Sequence, residues 1–208
     1  MRTLVVLSTL MVTSSLLADA IPYPTPGTYN SVLYTFTAAS TGDVIAYFAG
    51  STAAYDNELG LLVNGVSTGV VGLDNQTSAP GQTLDLGHAN AGDTLTFVLV
   101  NHTLGMDAYS DPSMNVSYDT PDTTHHQHVY STPYTGTGPV IDSIPAGTFV
   151  SFEDLPPLVS DFNYNAEDFV FVNVKSVPHS SVPEPCTLAL LGAGLAGLVG
   201  LSRRRKTA

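Results

Sequence analysis

Between Tyr29 and Val174 apolar residues recur at every second position, and turn signals interrupt them at short intervals. Strand side chains alternate faces with period two, so this pattern buries one side of a sheet and gives a helix no apolar stripe. Val32, Tyr34 and Phe36 alternate with Leu33, Thr35 and Thr37. Val44, Ala46 and Phe48 alternate with Ile45 and Tyr47, and Leu95, Phe97 and Leu99 with Thr94, Thr96 and Val98. Leu59–Val63 runs into Asn64-Gly65, the pair that closes a two-residue hairpin, and Val66–Leu73 reads as the return strand. Leu84 with Leu86, Phe149–Phe152 and Phe169–Val174 supply further strands. Gly42-Asp43, Gly92-Asp93 and Gly147-Thr148 each stand ahead of an apolar strand, the glycine serving the turn. Eight or nine such strands predict an all-β fold, an antiparallel β-sandwich of jelly-roll-like kind. Gly105–Gly138 is polar and carries Pro112, Pro121 and Pro133; it reads as a long surface loop with one strand near His126–Ser131.

Both ends depart from this grammar. At the start, Arg2 precedes an apolar stretch from Leu4 to Leu17 and an A-x-A site, Ala18-Asp19-Ala20. Order and length predict a cleaved signal peptide over 1–20, its cleavage specified by Ala18 and Ala20. At the other end a polar linker leads to Val182-Pro183-Glu184-Pro185, an apolar run over 186–201, and a basic end over 203–206. The two prolines keep the box extended. The run is 16 residues long, short of the ~20 that span a bilayer comfortably, and inserts by thinning the membrane locally. Arg203, Arg204 and Arg205 then stay cytoplasmic. The expected layout is signal peptide 1–20, acidic β-sandwich 21–177, and linker plus sorting tail 178–208.

This tail resembles the PEP-CTERM sorting signal, whose parts are a V-P-E-P box, a short apolar helix and a terminal arginine cluster. Val182, Pro183, Glu184 and Pro185 match the box, and Arg203–Lys206 the cluster. The resemblance implies a transient partner, an exosortase. It also implies export through the inner membrane of a Gram-negative cell that makes exopolysaccharide, and a final place in the envelope, on the outer surface or in the extracellular matrix. The tail is the membrane contact before processing.

Charge narrows the function classes. If the chain is cut after Ala20 and at Pro185, 17 carboxylates face one cation, Lys175, a formal charge of −16. Such a field repels phosphate backbones and excludes nucleic acid as a partner, while it attracts cations. The single cysteine, Cys186, lies in the tail, so the sandwich holds neither a disulfide framework nor a thiolate metal site.

One segment carries a metal-like pattern. Asp161, Asn163 and Asn165 place oxygen side chains at every second residue, and Asp154, Glu167 or Asp168 can complete a shell of six to eight hard oxygens. The candidate ligands for Ca2+ are therefore Asp154, Asp161, Asn163, Asn165 and Asp168. The loop is not an EF-hand, because Ala166 stands at the turn-glycine position and Val172 at the twelfth. The same residues also read as a β-turn capped by Asx hydrogen bonds. Phe152-Glu153-Asp154-Leu155, the acidic loop and Phe169–Phe171 resemble a domain of unknown function found in secreted bacterial proteins; that resemblance implies a surface or matrix role and no known activity.

His125, His126 and His128 form a cluster in which His126 and His128 share a face on a strand, near Asp119 or Asp122. They read either as zinc or copper ligands or as solvated, hydrogen-bonded imidazoles. Catalysis finds little support: no G-x-S-x-G occurs, and a chain without Trp, and without Arg between the two processing sites, offers a sugar-cleaving groove few platforms or clamps. The expectation is an exported, non-enzymatic protein that meets exopolysaccharide or other surface proteins in a structural or interaction role. The alternatives are a calcium-dependent carbohydrate-binding module and, further off, a secreted glycoside hydrolase.

Overall fold

The computed structural model describes residues 21–122, 126–137 and 144–180. The signal segment, the V-P-E-P box, the apolar run, the basic end and His125 lie outside the described residues. The strands are β1 Val32–Ala38, β2 Gly42–Gly50, β3 Asn57–Val63, β4 Val66–Gly72, β5 Thr83–Ala89, β6 Thr94–Asn101, β7 Met106–Tyr109, β8 Val129–Tyr134, β9 Gly147–Phe152, β10 Glu167–Val172 and β11 Val174–Ser180. A 3₁₀ turn (Pro112–Met114) and one short helix, α1 (Val116–Asp119), interrupt them. One sheet runs β11-β1-β6-β3-β4, with β7 also on β6; the other runs β5-β2-β10-β9-β8. Every strand pair is antiparallel. The two sheets face each other as the expected β-sandwich.

The alternating residues fill the space between the sheets. Phe36, Leu59, Leu61, Phe97 and Leu99 come from one sheet, and Phe48, Phe152, Phe169 and Phe171 from the other, all buried in one cluster. Phe97 and Phe171 stack across the gap with centroids 4.0 Å apart. Each buried ring contributes roughly 1.5–3 kcal/mol relative to exposure. Strand β10 is buried on both faces, because Val170 joins a second cluster with Ala49, Tyr134, Ile144 and Phe149 on the outer side of its sheet. That double burial explains why its sequence is continuously apolar after Asp168 rather than alternating.

The hairpin between β3 and β4 turns on Asn64 (φ 51°) and Gly65 (φ 80°). Two consecutive positive φ values define the type I′ turn that Asn-Gly favours.

Three expectations need correction. Phe169–Val174 is not one strand: Asn173 adopts φ 67°, and the chain crosses to the other sheet. There β11 pairs with β1 from Ala38↔Val174 to Val32↔Ser180. The start of the segment read as linker, 178–180, is therefore strand, and the sandwich extends past 177 to Ser180. It reads as polar because β11 is an edge strand with one partner, which also tolerates Pro178 and its missing N–H. Gly105–Gly138 is likewise more than a loop. It contributes β7 and α1, and buries Asn115, Tyr118 and Asp119. Asn115 stands in for a strand partner: its Oδ1 accepts from Tyr109 N at 2.7 Å, and its Nδ2 donates to the carbonyls of Tyr109 and His126. The strand expected at His126 starts at Val129.

Candidate functional site

The segment between β9 and β10 departs from the sheet at Glu153 and returns at Glu167. Glu153 is buried and organises it: Oε2 accepts from Asn163 N at 3.2 Å and Tyr164 N at 3.4 Å, and Oε1 from Leu155 N at 3.3 Å. The every-second-residue rhythm is a run of linked turns. Asp161 accepts from Asn163 N and, at 2.7 Å, from Asn163 Nδ2. Asn163 Oδ1 accepts from Asn165 N, and Asn165 Oδ1 from Thr52 Oγ1 at 2.7 Å. Phe162 and Tyr164, the residues between them, take φ 48° and 51°. Their rings point inward: Tyr164 is buried against Tyr23 at 4.7 Å, and its hydroxyl donates to the Gln127 carbonyl. The alternation thus separates aromatic anchors from capping amides, which is the Asx-turn reading made concrete.

The outward side chains meet. Glu153, Asp154, Asp161, Asn163 and Asn165 line a cavity of about 160 Å³ with Thr52 and Tyr55. Four of the five predicted ligands, Asp154, Asp161, Asn163 and Asn165, therefore share one hollow. Burial raises the carboxyls of both Glu153 and Asp154 above the ordinary range, with Asp161 adding repulsion and hydrogen bonds opposing it.

Asp168 is the exception and does not line the cavity. It is fully buried, with Ser151 Oγ set between its Oδ1 and the Tyr164 carbonyl. Burial pushes its carboxyl up to about 8, against the pull of Ser151. The Ser151 hydroxyl is the donor toward both acceptors, the Asp168 carboxyl and the Tyr164 carbonyl.

Glu167, one residue earlier, faces the other way, into the space between the sheets. It is fully buried, and neither carboxylate oxygen has a hydrogen-bond partner among the described residues. Burial, followed by repulsion from Asp168, Asp74, Asp154 and Glu58, raises it well above the ordinary carboxylate value. Sequence reasoning placed Glu167 in the loop. The available signal was its position two residues before Phe169 on one strand face, at a site that period two assigns to the core.

The histidines find acids, as their spacing suggests, but different ones. His128 Nε2 lies 2.8 Å from Asp119 Oδ1, and His126 Nε2 lies 3.1 Å from Asp122 Oδ2. Among the described residues no three of His, Cys, Asp or Glu converge as a set that could hold a metal ion. Any cation here would depend on amide and carbonyl oxygens for much of its shell.

No helix among the described residues is long and apolar enough to cross a membrane. Sandwich and tail together define a class: exported, exosortase-sorted surface proteins that display a folded β domain. A family model described as the PEP-CTERM protein-sorting motif matches residues 181–206, and the chain carries that motif. The match covers the tail, so the resemblance of the Glu153–Asp168 region to a secreted-protein domain rests on its residues alone. Comparison with curated proteins and with solved structures finds no match.

Proposed function

We propose that the sandwich is a non-catalytic structural or interaction module, displayed at the cell envelope or in the extracellular polysaccharide matrix by its sorting tail. The observation that carries this reading is the junction between domain and tail. Strand β11 stays paired to β1 as far as Ser180, and the sorting motif begins at 181. The tail therefore joins the domain at an edge strand held along its length by backbone pairing.

The acids support the same reading. Glu153 is spent on backbone N–H groups, Asp168 on Ser151 and Asp119 on His128. These are the bonds of a framework. The remaining negative charge keeps the displayed surface soluble and repels anionic neighbours.

The test is processing of Pro183→Ala combined with Glu184→Ala. Intact-mass analysis should find the tail retained, and fractionation should find the protein held in the inner membrane. Normal trimming and release of the double variant would overturn the sorting assignment. Sugar release by the exported protein from the host's own polysaccharide would overturn the non-catalytic one.

A further inference from the structure

At the end of the sandwich where β3 begins, β9 ends and β10 begins, the inter-sheet core changes from rings to oxygens. Glu167 lies opposite Phe152, on the face of β10 that carries Phe169 and Phe171. Both of its carboxylate oxygens are closed off from solvent and accept no hydrogen bond among the described residues. Asn57 opens β3 in the facing sheet, on the buried side that carries Leu59 and Leu61. Its Nδ2 donates to Asp154 Oδ2 at 2.9 Å and to the Tyr55 carbonyl at 3.4 Å. Two acceptors fix the amide's orientation, so its oxygen is the atom turned away from them, and Asn57 Oδ1 also has no partner. Asp154 is buried, and its charge acts on Glu167. The only Lys or Arg among the described residues is Lys175, exposed on β11.

We propose that Glu167, Asn57 Oδ1 and Asp154 form an inter-sheet site for a calcium ion that ties β3 to β10. Every unpartnered atom named here is an acceptor, and a cation is the ligand that satisfies acceptors alone. The donors are hard oxygens without imidazole or thiolate, which selects calcium or magnesium over zinc and copper. Calcium accepts a bidentate carboxylate, an amide oxygen and carbonyls in irregular geometry. Magnesium keeps its water and demands an octahedron, which an interior packed with phenyl rings does not offer. Two carboxylates rather than three suit an ion completed by neutral oxygens. Asp154 also lines the 160 Å³ cavity, which brings that hollow to the edge of the proposed site. The site is distinct from the Asp161–Asn165 loop, whose side chains are occupied in turns.

The test uses the full-length chain in detergent, stripped with EDTA and titrated calorimetrically with calcium chloride. Glu167→Gln should weaken calcium binding by roughly 10–100-fold, while Asp161→Ala with Asn163→Ala should leave it at the parent value. Terbium provides a second reading that needs no variant. The chain has no Trp, so tyrosine excitation drives the emission, and Tyr118 donates to the Asp154 carbonyl. Luminescence lifetimes in light and heavy water should show an ion stripped of most of its water. The inference fails if the parent does not bind calcium, or if Glu167→Gln binds like the parent. It also fails if the loop variant alone abolishes binding, or if bound terbium keeps most of its hydration shell.

Discussion

His128 Nε2 stands 2.8 Å from Asp119 Oδ1, and both side chains are buried. The other ring nitrogen, Nδ1, lies 3.0 Å from the Glu153 carbonyl, and the Tyr118 ring sits edge-on at 5.0 Å. Asp119 Oδ2 accepts from His126 N at 2.8 Å. This pair ties α1 to the end of the β8–β9 ladder, where Val129 pairs with Phe152 and Glu153 N donates to the His128 carbonyl at 2.9 Å.

Removing one partner leaves a buried polar atom of the other without its hydrogen bond, a loss of about 1–3 kcal/mol. His128→Ala and Asp119→Ala should therefore each lower the melting temperature by roughly 2–12 °C, at ~2–4 °C per kcal/mol for a domain of this size. The double variant should lose much less than the sum. Additive losses in the double-mutant cycle would show that the two side chains act independently.

A second expectation concerns pH. Asp168 holds its proton up to about 8 in the folded protein, whereas an unfolded Asp loses it near ~3.9. Between those values the folded state binds more protons, so stability falls as pH rises. The contribution is complete below the unfolded value and lost as pH climbs through the folded one. Glu153, Asp154 and Glu167 are shifted in the same direction. With EDTA present, the melting temperature should fall between about pH 5 and pH 9, and Asp168→Asn should flatten the fall. A melting temperature that rises over this range would contradict the burial of these groups.

Gly147 sits where a Cβ would stand 2.3 Å from the Phe171 carbonyl oxygen. Gly147→Ala must push β9 from β10, at a cost of about 1–3 kcal/mol. At Gly65 a Cβ would meet nothing within 4 Å, and only φ 80° is strained, for about 1 kcal/mol. Denaturant melts should rank Gly147→Ala as the more damaging change; the reverse order would place the close contact elsewhere.

Chain length gives a further check. Ending the domain at 177 deletes the pairings Tyr34↔Pro178, Leu33↔His179 and Val32↔Ser180. Each lost backbone hydrogen bond costs about 0.5–1.5 kcal/mol net. Residues 21–180 should melt above residues 21–177, and hydrogen exchange at Val32–Tyr34 should accelerate in the shorter form. Equal protection of β1 in both would mean that β11 contributes nothing past Val177.

Much of the architecture was legible because strand periodicity is a local property. The alternations at Val32–Phe36, Val44–Phe48 and Leu95–Leu99 each specify a face without reference to any other part of the chain, and Asn64-Gly65 encodes its own turn. The sorting tail is legible for the same reason: box, apolar run and basic end are contiguous, and an enzyme reads them as a linear segment. Which way neighbouring acids point was not legible. Asp161, Asn163 and Asn165 share a spacing that suits both a calcium loop and a ladder of Asx turns. Positive φ at Phe162 and Tyr164 produces the ladder, and their rings pack against the distant Tyr29 and Tyr23. Glu167 and Asp168 are adjacent and chemically alike, yet a strand sends one between the sheets and the other to the outer face. β11 reads as linker because an edge strand needs no apolar alternation, only a partner, and that partner, β1, lies more than a hundred residues away in the chain. Local sequence determined the strands, the turn and the address. Burial, which depends on what the far ends of the chain bring together, decided which carboxylates became scaffold and which, like Glu167, were left without a hydrogen-bond partner among the described residues.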